Sequence, residues 1–250
     1  MTTLHIGNTI RFISKTDSTN KHTIREIADN EIEDGTVFLA YEQTEGRGQM
    51  KNRWESEAGK NLTFSIFLRP DFLPVNQQFM ISKVVCLGLK FFLQHHVNDP
   101  ITVKWPNDIY VNDKKICGIL IENAVMNKQI CYSVVGIGLN INQVSFHSDL
   151  PNPVSLKIIT GKDYNTDELL TELLYEIDSY YTLLKTGLTN EIDSSYVNSL
   201  YMLGTTGMFR DKDRQFCGTI KGINNIGQLI VEDVEGVSRV YQFKEVEFLH

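Results

Sequence analysis

Between residues 101 and 124 the chain reads ITVKWPNDIYVNDKKICGILIENA. Three β-type runs stand here with only two short turn signals between them, Pro106-Asn107-Asp108 and Asn112-Asp113. Connections this short join antiparallel neighbours, because a parallel pair needs a crossover of roughly a dozen residues or more. Any sheet that holds this block is built partly from hairpins. That argues against a regular doubly wound domain and for an α+β fold with a mixed β-sheet and helices.

The flanking segments supply the helices and the remaining strands. TIRFISKT and GTVFLAYEQ have strand composition, the second a short apolar run of the buried kind. DSTNKHTIREIADN lies between them, with Asp17, Ser18 or Thr19 as helix caps and Ile24 and Ile27 starting an apolar face. In NLTFSIFLRP, Leu62, Phe64, Ile66 and Leu68 alternate with the period of a half-buried strand. Phe79, Val84, Leu87, Phe91 and Phe92 give 76–97 a helical period. QICYSVVGIGLNIN is a strand that ends in glycines, Pro151 and Pro153 mark a loop, and helices are expected over 156–160, 166–184 and 191–203. The composition changes near Leu203. TTGMFRD, RQFCGTIKGIN, GQLIVEDV and VSRVYQFKEVEFL are four strand-like runs between glycine turns, the pattern of a small β-barrel. The expected division is a larger domain over 1–202 and a barrel over 203–250.

Several function classes drop out. The net charge of -7 provides no general basic field for nucleic acid, so an anion must be caught locally. Cys86, Cys117, Cys131 and Cys217 form no C-x-x-C pair, and MTTLHIGNTIRF contains no long apolar run. Free thiols in a reducing, cytoplasmic setting are expected. No stretch approaches the ~20 apolar residues of a membrane span. The histidines show no H-x-x-x-H or H-E-x-x-H spacing, so no metal site made by a cluster of protein ligands is expected. GIGLN is half of a G-x-G-x-x-G fingerprint, lacks the third glycine and comes too late for the usual dinucleotide turn.

Three clusters carry chemistry. EGRGQMKNRW, residues 45–54, places Gly46 and Gly48 around Arg47 and ends in Arg53 and Trp54. Glycines let backbone approach a ligand, arginine forks onto phosphate or carboxylate, and an indole stacks on a purine. The plain alternative is a solvated loop with its tryptophan anchored in the core. Lys104, Trp105, Asn107 and Asp108 crowd a turn, where buried polar groups hint at a site. If Lys114 faces out, strict alternation turns Lys115 inward together with Cys117 and Ile119; its partner is then a bound anion or a core-edge acid. DSTN, residues 17–20, sets hydroxyls beside the free N–H groups of a helix start, which suits a carbonyl-type oxygen or an anion, or is a simple N-cap.

In order, DSTN, YEQTEGRGQ, KWPND, KKICGILIE and GIGLNIN resemble the biotin protein ligases, over about Ser14 to Asn142, with the C-terminal barrel in the matching place. The resemblance implies a class II aminoacyl-tRNA synthetase-like catalytic domain followed by an SH3-like β-barrel. It implies an ATP-dependent ligase that converts biotin and ATP to biotinyl-5'-AMP and pyrophosphate, then transfers biotin to a lysine of a biotin carboxyl carrier protein. On the same basis Ser18, Thr19, Asn20 and Gln43 read the ureido head. Gly46, Arg47, Gly48 and Gln49 belong to the loop over biotin, and Gly118 and Leu120 line its pocket. Lys115 stands by the biotin carboxylate and α-phosphate, and Trp54 near adenine. Arg53, Lys104, Asn107 and Asn140 match positions on the nucleotide side. Lys115, Arg47 and Asp108 are expected to carry the chemistry, with Mg²⁺ entering as part of the ATP complex near Asp108.

The chain departs from the family pattern in places. Gln49 stands where many members have a second arginine, and Asn52 stands near another common arginine position. Phosphate contacts are therefore expected to pass to Arg47, Lys51 or Arg53. Cys117 takes a position that is often alanine, and a buried, inert thiol is expected there. DSTN begins at residue 17, which implies a monofunctional ligase without DNA binding. Edge strands of the sheet offer a route to a homodimer. Lipoate ligases and octanoyltransferases resemble the fold but lack G-R-G together with K-W-P-N-D. A binding module without catalysis is the rival of another class, and biotin-dependent pyrophosphate release separates the two.

Overall fold

The computed structural model describes residues 4–49, 52–147, 152–212 and 214–249. Its main sheet contains β1 (Ile10–Thr16), β2 (Val37–Gln43), β3 (Leu62–Leu68), β4 (Ile101–Lys104), β5 (Asp108–Val111), β6 (Lys114–Met126) and β7 (Gln129–Leu139), in the order β1-β2-β3-β7-β6-β5-β4. β1 and β2 run parallel, joined through helix α1 (Thr19–Asp29), and the other neighbours are antiparallel. The hairpin block seen in the sequence becomes β4, β5 and most of β6, at one side of this mixed sheet.

Helices α2 (Phe79–Gln94), α4 (Thr166–Lys185) and α5 (Thr189–Val197) pack together against one face. Their apolar residues, with Leu62, Phe64, Ile66 and Leu68 of β3, form the main core. A short helix α3 (Leu156–Thr160) precedes α4, capped by the Ser155 side chain on Ile158 N–H at 3.2 Å. The opposite face is covered by α1, over β2, β3 and β7, and a small cluster of Ile32, Phe38 and Phe67 sits there. This corrects the half-buried expectation for β3. All seven of its residues are buried, because α1 covers Ser65 and Phe67 on one face while the helical layer covers the alternating set on the other.

The helix expected over 191–203 ends at Val197. Its continuation pairs with β4 instead: Ser199 accepts from Val103 N–H at 2.8 Å, and Tyr201 N–H donates to Val103 at 2.9 Å. An edge strand with unpaired backbone groups competes successfully with the last helical turn.

The chain then forms a second, antiparallel sheet of β8 (Thr206–Asp211), β9 (Arg214–Ile223), β10 (Leu229–Asp233), β11 (Ser238–Tyr241) and β12 (Val246–Leu249), in the order β11-β10-β9-β8-β12. Among the described residues there are five strands where four runs were expected. The last run breaks at a turn, Glu245 N–H to Gln242 O at 3.0 Å, which carries β12 to the opposite edge beside β8. This small SH3-like sheet docks on the first through Gly227. The Gly227 carbonyl accepts from Trp105 Nε1 at 2.8 Å, and a Cβ at this position (φ +86°) would lie 2.2 Å from the Phe79 ring. No helix among the described residues is long and apolar enough to cross a membrane.

Candidate functional site

The α1-bearing face opens into a cavity of about 520 Å³. Its floor is β6 and β7, and its walls are the start of α1, the loop after β2, the β4–β5 turn and the β11–β12 end of the second sheet.

The floor is made of glycine. Gly118 of β6 and Gly138 of β7 are direct partners across the strands, and the Trp54 indole lies over both. A Cβ at Gly138 would come within 2.3 Å of Trp54 Cε2, and one at Gly118 within 3.0 Å of Trp54 Cζ3. The Trp54 Nε1–H is buried without a partner. In the loop carrying this ring, residues 46–49 and 52–54 pair as two antiparallel arms. Trp54 N–H donates to Gly46 O at 2.9 Å, Gly48 N–H donates to Asn52 O at 2.7 Å, and Arg47 bridges Arg53. Gly46 thus allows two backbone arms to meet and does not itself line the cavity; a Cβ there would sit 2.3 Å from Trp54 O. Lys51, expected to share in phosphate contact, lies outside the described residues.

Lys115 reaches the cavity by a different route from the one that alternation predicts. β5 and β6 pair Tyr110 with Lys115 and Ile109 with Cys117, so β6 carries one extra residue, a β-bulge at Ile116. Ile116 and Cys117 both enter the core, while Lys115 shares the cavity face with Gly118 and Leu120. A Cβ at Gly118 would be 3.4 Å from Lys115 Cε. The expected partnership of Lys115 with Cys117 and Ile119 on one face is therefore corrected. Burial pushes the Cys117 thiol well above its usual range.

Lys115 Nζ lies 2.6 Å from Asp108 Oδ2 and 5.8 Å from the Trp54 ring centre. Lys104 Nζ sits among the rings of Tyr110 (5.0 Å), Phe248 (5.2 Å) and Tyr201 (5.9 Å). Burial lowers the Lys104 pKa, and the charge of Asp108 partly opposes that. Burial also pushes the Tyr201 hydroxyl up to about 12, helped by its bond to Asp113. Asn107 holds the turn to β6 through its side-chain Nδ2–H on Ile119 O.

The other end of the cavity is neutral and polar. Ser18 is the N-cap of α1, yet its side chain makes no capping bond. The helix N–H groups are met otherwise: Gln43 Oε1 accepts from Thr19 N–H at 2.7 Å, and Asp17 Oδ1 accepts from Ser18 N–H at 2.8 Å. The Arg25 guanidinium grips Asp17 at 2.8 and 3.1 Å and holds its carboxyl well below the usual carboxylate range. The Ser18 hydroxyl is thereby left for the cavity. Asn20 donates to Leu120 O at 3.1 Å and Glu122 Oε2 at 2.8 Å, and the other Glu122 oxygen accepts from Arg47 at 3.3 Å.

One cavity thus gathers Ser18, Thr19, Asn20, Gln43, Arg47, Gly48, Gln49, Arg53, Trp54, Lys104, Asn107, Asp108, Lys115, Gly118 and Leu120. Asn140 is not among them. It is buried beside the bulge, where its N–H donates to Ile116 O at 3.0 Å and its Nδ2–H to Val154 O at 3.0 Å. Among the described residues no three His, Cys, Asp or Glu side chains stand close enough to hold a metal ion. Sequence reasoning missed Ser65, Glu122, Tyr110, Asn152 and the wall formed by Phe243, Glu247 and Phe248. A buried serine in an apolar strand was the available signal for Ser65, and the acid ending KKICGILIE was the one for Glu122.

The sequence model of the biotin/lipoate A/B protein ligase family matches residues 11–140, just over half of the chain. A bifunctional ligase/repressor, BirA, of Bacillus spizizenii is 28% identical over 229 residues, which is 90% of this chain and 70% of that protein. A biotin–[acetyl-CoA-carboxylase] ligase of Paracoccus denitrificans is 28% identical over 232 residues, 90% of this chain and 94% of that one. Among solved structures, a biotin protein ligase from Aquifex aeolicus in complex with biotin and ATP matches with a TM-score of 0.80 at 25% identity, over 97% of this chain and 99% of that chain.

Proposed function

Because the chain belongs to the biotin/lipoate A/B protein ligase family, we propose that it joins biotin to ATP, giving biotinyl-5'-AMP and pyrophosphate, and then passes biotin to a lysine of a biotin carboxyl carrier protein. The observation that carries this reading is the cavity's polarity. A neutral hydrogen-bonding end and a cationic end share one floor that has no side chains at Gly118, Gly136 and Gly138. A bicyclic urea suits the first end and a carboxylate the second, with the glycine floor and the Trp54 ring between them.

In this reading Lys115 holds the biotin carboxylate beside the α-phosphorus, with Arg47, Arg53 and Lys104 near the developing phosphoryl charge. Mg²⁺ arrives as part of the ATP substrate. Trp54 faces the adenine, and the 45–54 loop excludes water from the mixed anhydride. Asp108, 2.6 Å from Lys115, is the group placed to assist the incoming carrier amine. Normal transfer from preformed adenylate by Asp108→Asn would remove that role. Asn140 acts at one remove, by fixing the bulge under Lys115. The division at 202/203, a cytoplasmic setting and the absence of operator binding belong to the same proposal. Limited proteolysis, fractionation and a DNA mobility shift test them in turn.

The deciding experiment is ATP–pyrophosphate exchange with biotin, lipoate, octanoate or no acid. Exchange with biotin alone, lost in Lys115→Ala, is expected. Exchange with lipoate in its place would transfer the chain to the other branch of the family, and no exchange at all would leave a binding module.

A further inference from the structure

We propose that the cleft where α2, α4 and the end of α5 meet is a second binding site, for a small carboxylate carried on a flat apolar body, and that Lys90 anchors it. The cleft has a volume of about 280 Å³, near the lower limit of ~300 Å³ for pockets that take small molecules. It belongs to the helical layer and shares no lining residue with the cavity described above. Leu87, Lys90, Phe91 and Gln94 line it from α2, and their spacing puts them on one side of that helix. Tyr180 contributes from α4, and Ser195, Asn198 and Ser199 from the end of α5.

Lys90 is half-buried and lacks a counter-charge. An ammonium carries three N–H donors and no acceptor. One of them reaches Ser199 Oγ at 2.8 Å. Ser199 is 3% exposed, and its own proton goes to Ser195 O at 2.7 Å, so toward Lys90 it can only accept. The other carbonyls at the end of α5 are engaged by backbone. Ser194 O takes Asn198 N–H, Tyr196 O takes Ser199 N–H and Val197 O takes Leu200 N–H, each at 3.0 Å.

The acids of the neighbouring helices are held elsewhere. Asp193 pairs with Lys83 at 2.6 Å, and Glu172 with His96 at 3.0 Å. Glu176 is felt by His95 and by the Tyr180 hydroxyl, and not by Lys90. Burial lowers the Lys90 pKa with no carboxylate to oppose it. A half-desolvated ammonium bonded to one neutral hydroxyl is costly to keep, and a bound anion removes that cost.

The lining also sets the class of anion. One ammonium and no arginine match a singly charged carboxylate, whereas a phosphate calls for a guanidinium fork or a second cation. Gln94 and Asn198 add neutral side-chain amides. Phe91 is 42% exposed and meets Tyr180 edge-on, with ring centres 6.5 Å apart. Two such rings at the mouth suit a flat apolar body behind the carboxylate.

Titration of the full chain, followed by saturation-transfer NMR, tests the site with benzoate, its neutral isostere benzamide and inorganic phosphate. Wild type should bind benzoate with a Kd on the order of 1 mM, and the other two at least about tenfold more weakly. Lys90→Met should weaken benzoate by about tenfold or more, with the melting temperature unchanged or raised. Lys90→Gln gives the same comparison if the methionine variant does not fold. Lys115→Ala should bind benzoate as wild type does, which separates this cleft from the cationic end of the other cavity. No saturable benzoate binding, equal binding of benzamide or phosphate, or loss in Lys115→Ala in place of Lys90→Met would overturn the site. So would a lowered melting temperature in Lys90→Met, which would make Lys90 a cap for the end of α5.

Discussion

Gly138→Ala isolates the role of the glycine floor. The new Cβ would stand 2.3 Å from Trp54 Cε2, 2.5 Å from Nε1 and 2.7 Å from Cζ2. Carbon atoms in contact sit about 3.5–4.0 Å apart, so the indole must move by about 1.2 Å or more. It cannot move alone, because Trp54 is tied to Gly46 and through it to the paired arms 46–49 and 52–54. Overpacking of this kind costs about 1–3 kcal/mol, or roughly a 5- to 150-fold rise in KM for ATP if the ring is needed against the nucleotide. At Gly118 the shortfall is smaller, because the nearest atom is 3.0 Å away, so Gly118→Ala should be the milder change. Neither position has a left-handed φ, so the backbone accepts alanine, and lost unfolded-state freedom adds about 0.4–1 kcal/mol of stability. Pyrophosphate exchange gives KM, and Trp54 emission in a Trp105→Phe background reports the ring. KM for ATP within twofold of wild type in Gly138→Ala, or greater damage from Gly118→Ala, would refute the floor's role. So would a sharply lowered melting temperature, which would place the strain in the core.

Three further outcomes are expected. Asp17 has its folded pKa depressed by Arg25, so its contribution is complete above the ordinary value of 3.8 and fades as pH falls below it. Asp17→Asn should therefore be less stable than wild type near neutral pH, with urea midpoints converging in acid; a gap that widens as pH falls would contradict the pairing. Gly227→Ala combines a left-handed φ of +86° with a Cβ 2.2 Å from Phe79, and should cost about 1–3 kcal/mol of unfolding free energy, measured by denaturant titration. Biotin with ATP should slow proteolytic cleavage within 45–54, and equal cleavage with and without ligand would count against a closing loop.

The sheet's hairpin half was legible because short turns leave the chain no other pairing. The cluster around Lys104, Asp108 and Lys115 was legible because polar residues stood where a buried turn was due. The face of Lys115 was not, since strict alternation assumes two residues per repeat and the bulge at Ile116 breaks the count. β3 was read as half-buried because its own pattern shows one apolar face, while the cover over Ser65 comes from α1, a contact distant in sequence. The wall of Phe243, Glu247 and Phe248 depends on how the second sheet docks through Gly227 and Trp105, and no local pattern around residue 245 reports that. The end of α5 was misplaced for a similar reason, because its rival was the backbone edge of β4, almost a hundred residues away.

The extra residue in β6 also decides what can be transplanted. Lys115 and Gly118 are three apart yet face the same way, an odd separation that a regular strand turns to opposite sides. Copied into an unbulged host, K-x-x-G would deliver its ammonium to the wrong surface. The portable cassette is the irregular ribbon from Asp108 to Leu120, both strands together, since the partner's register is what makes room for the odd count.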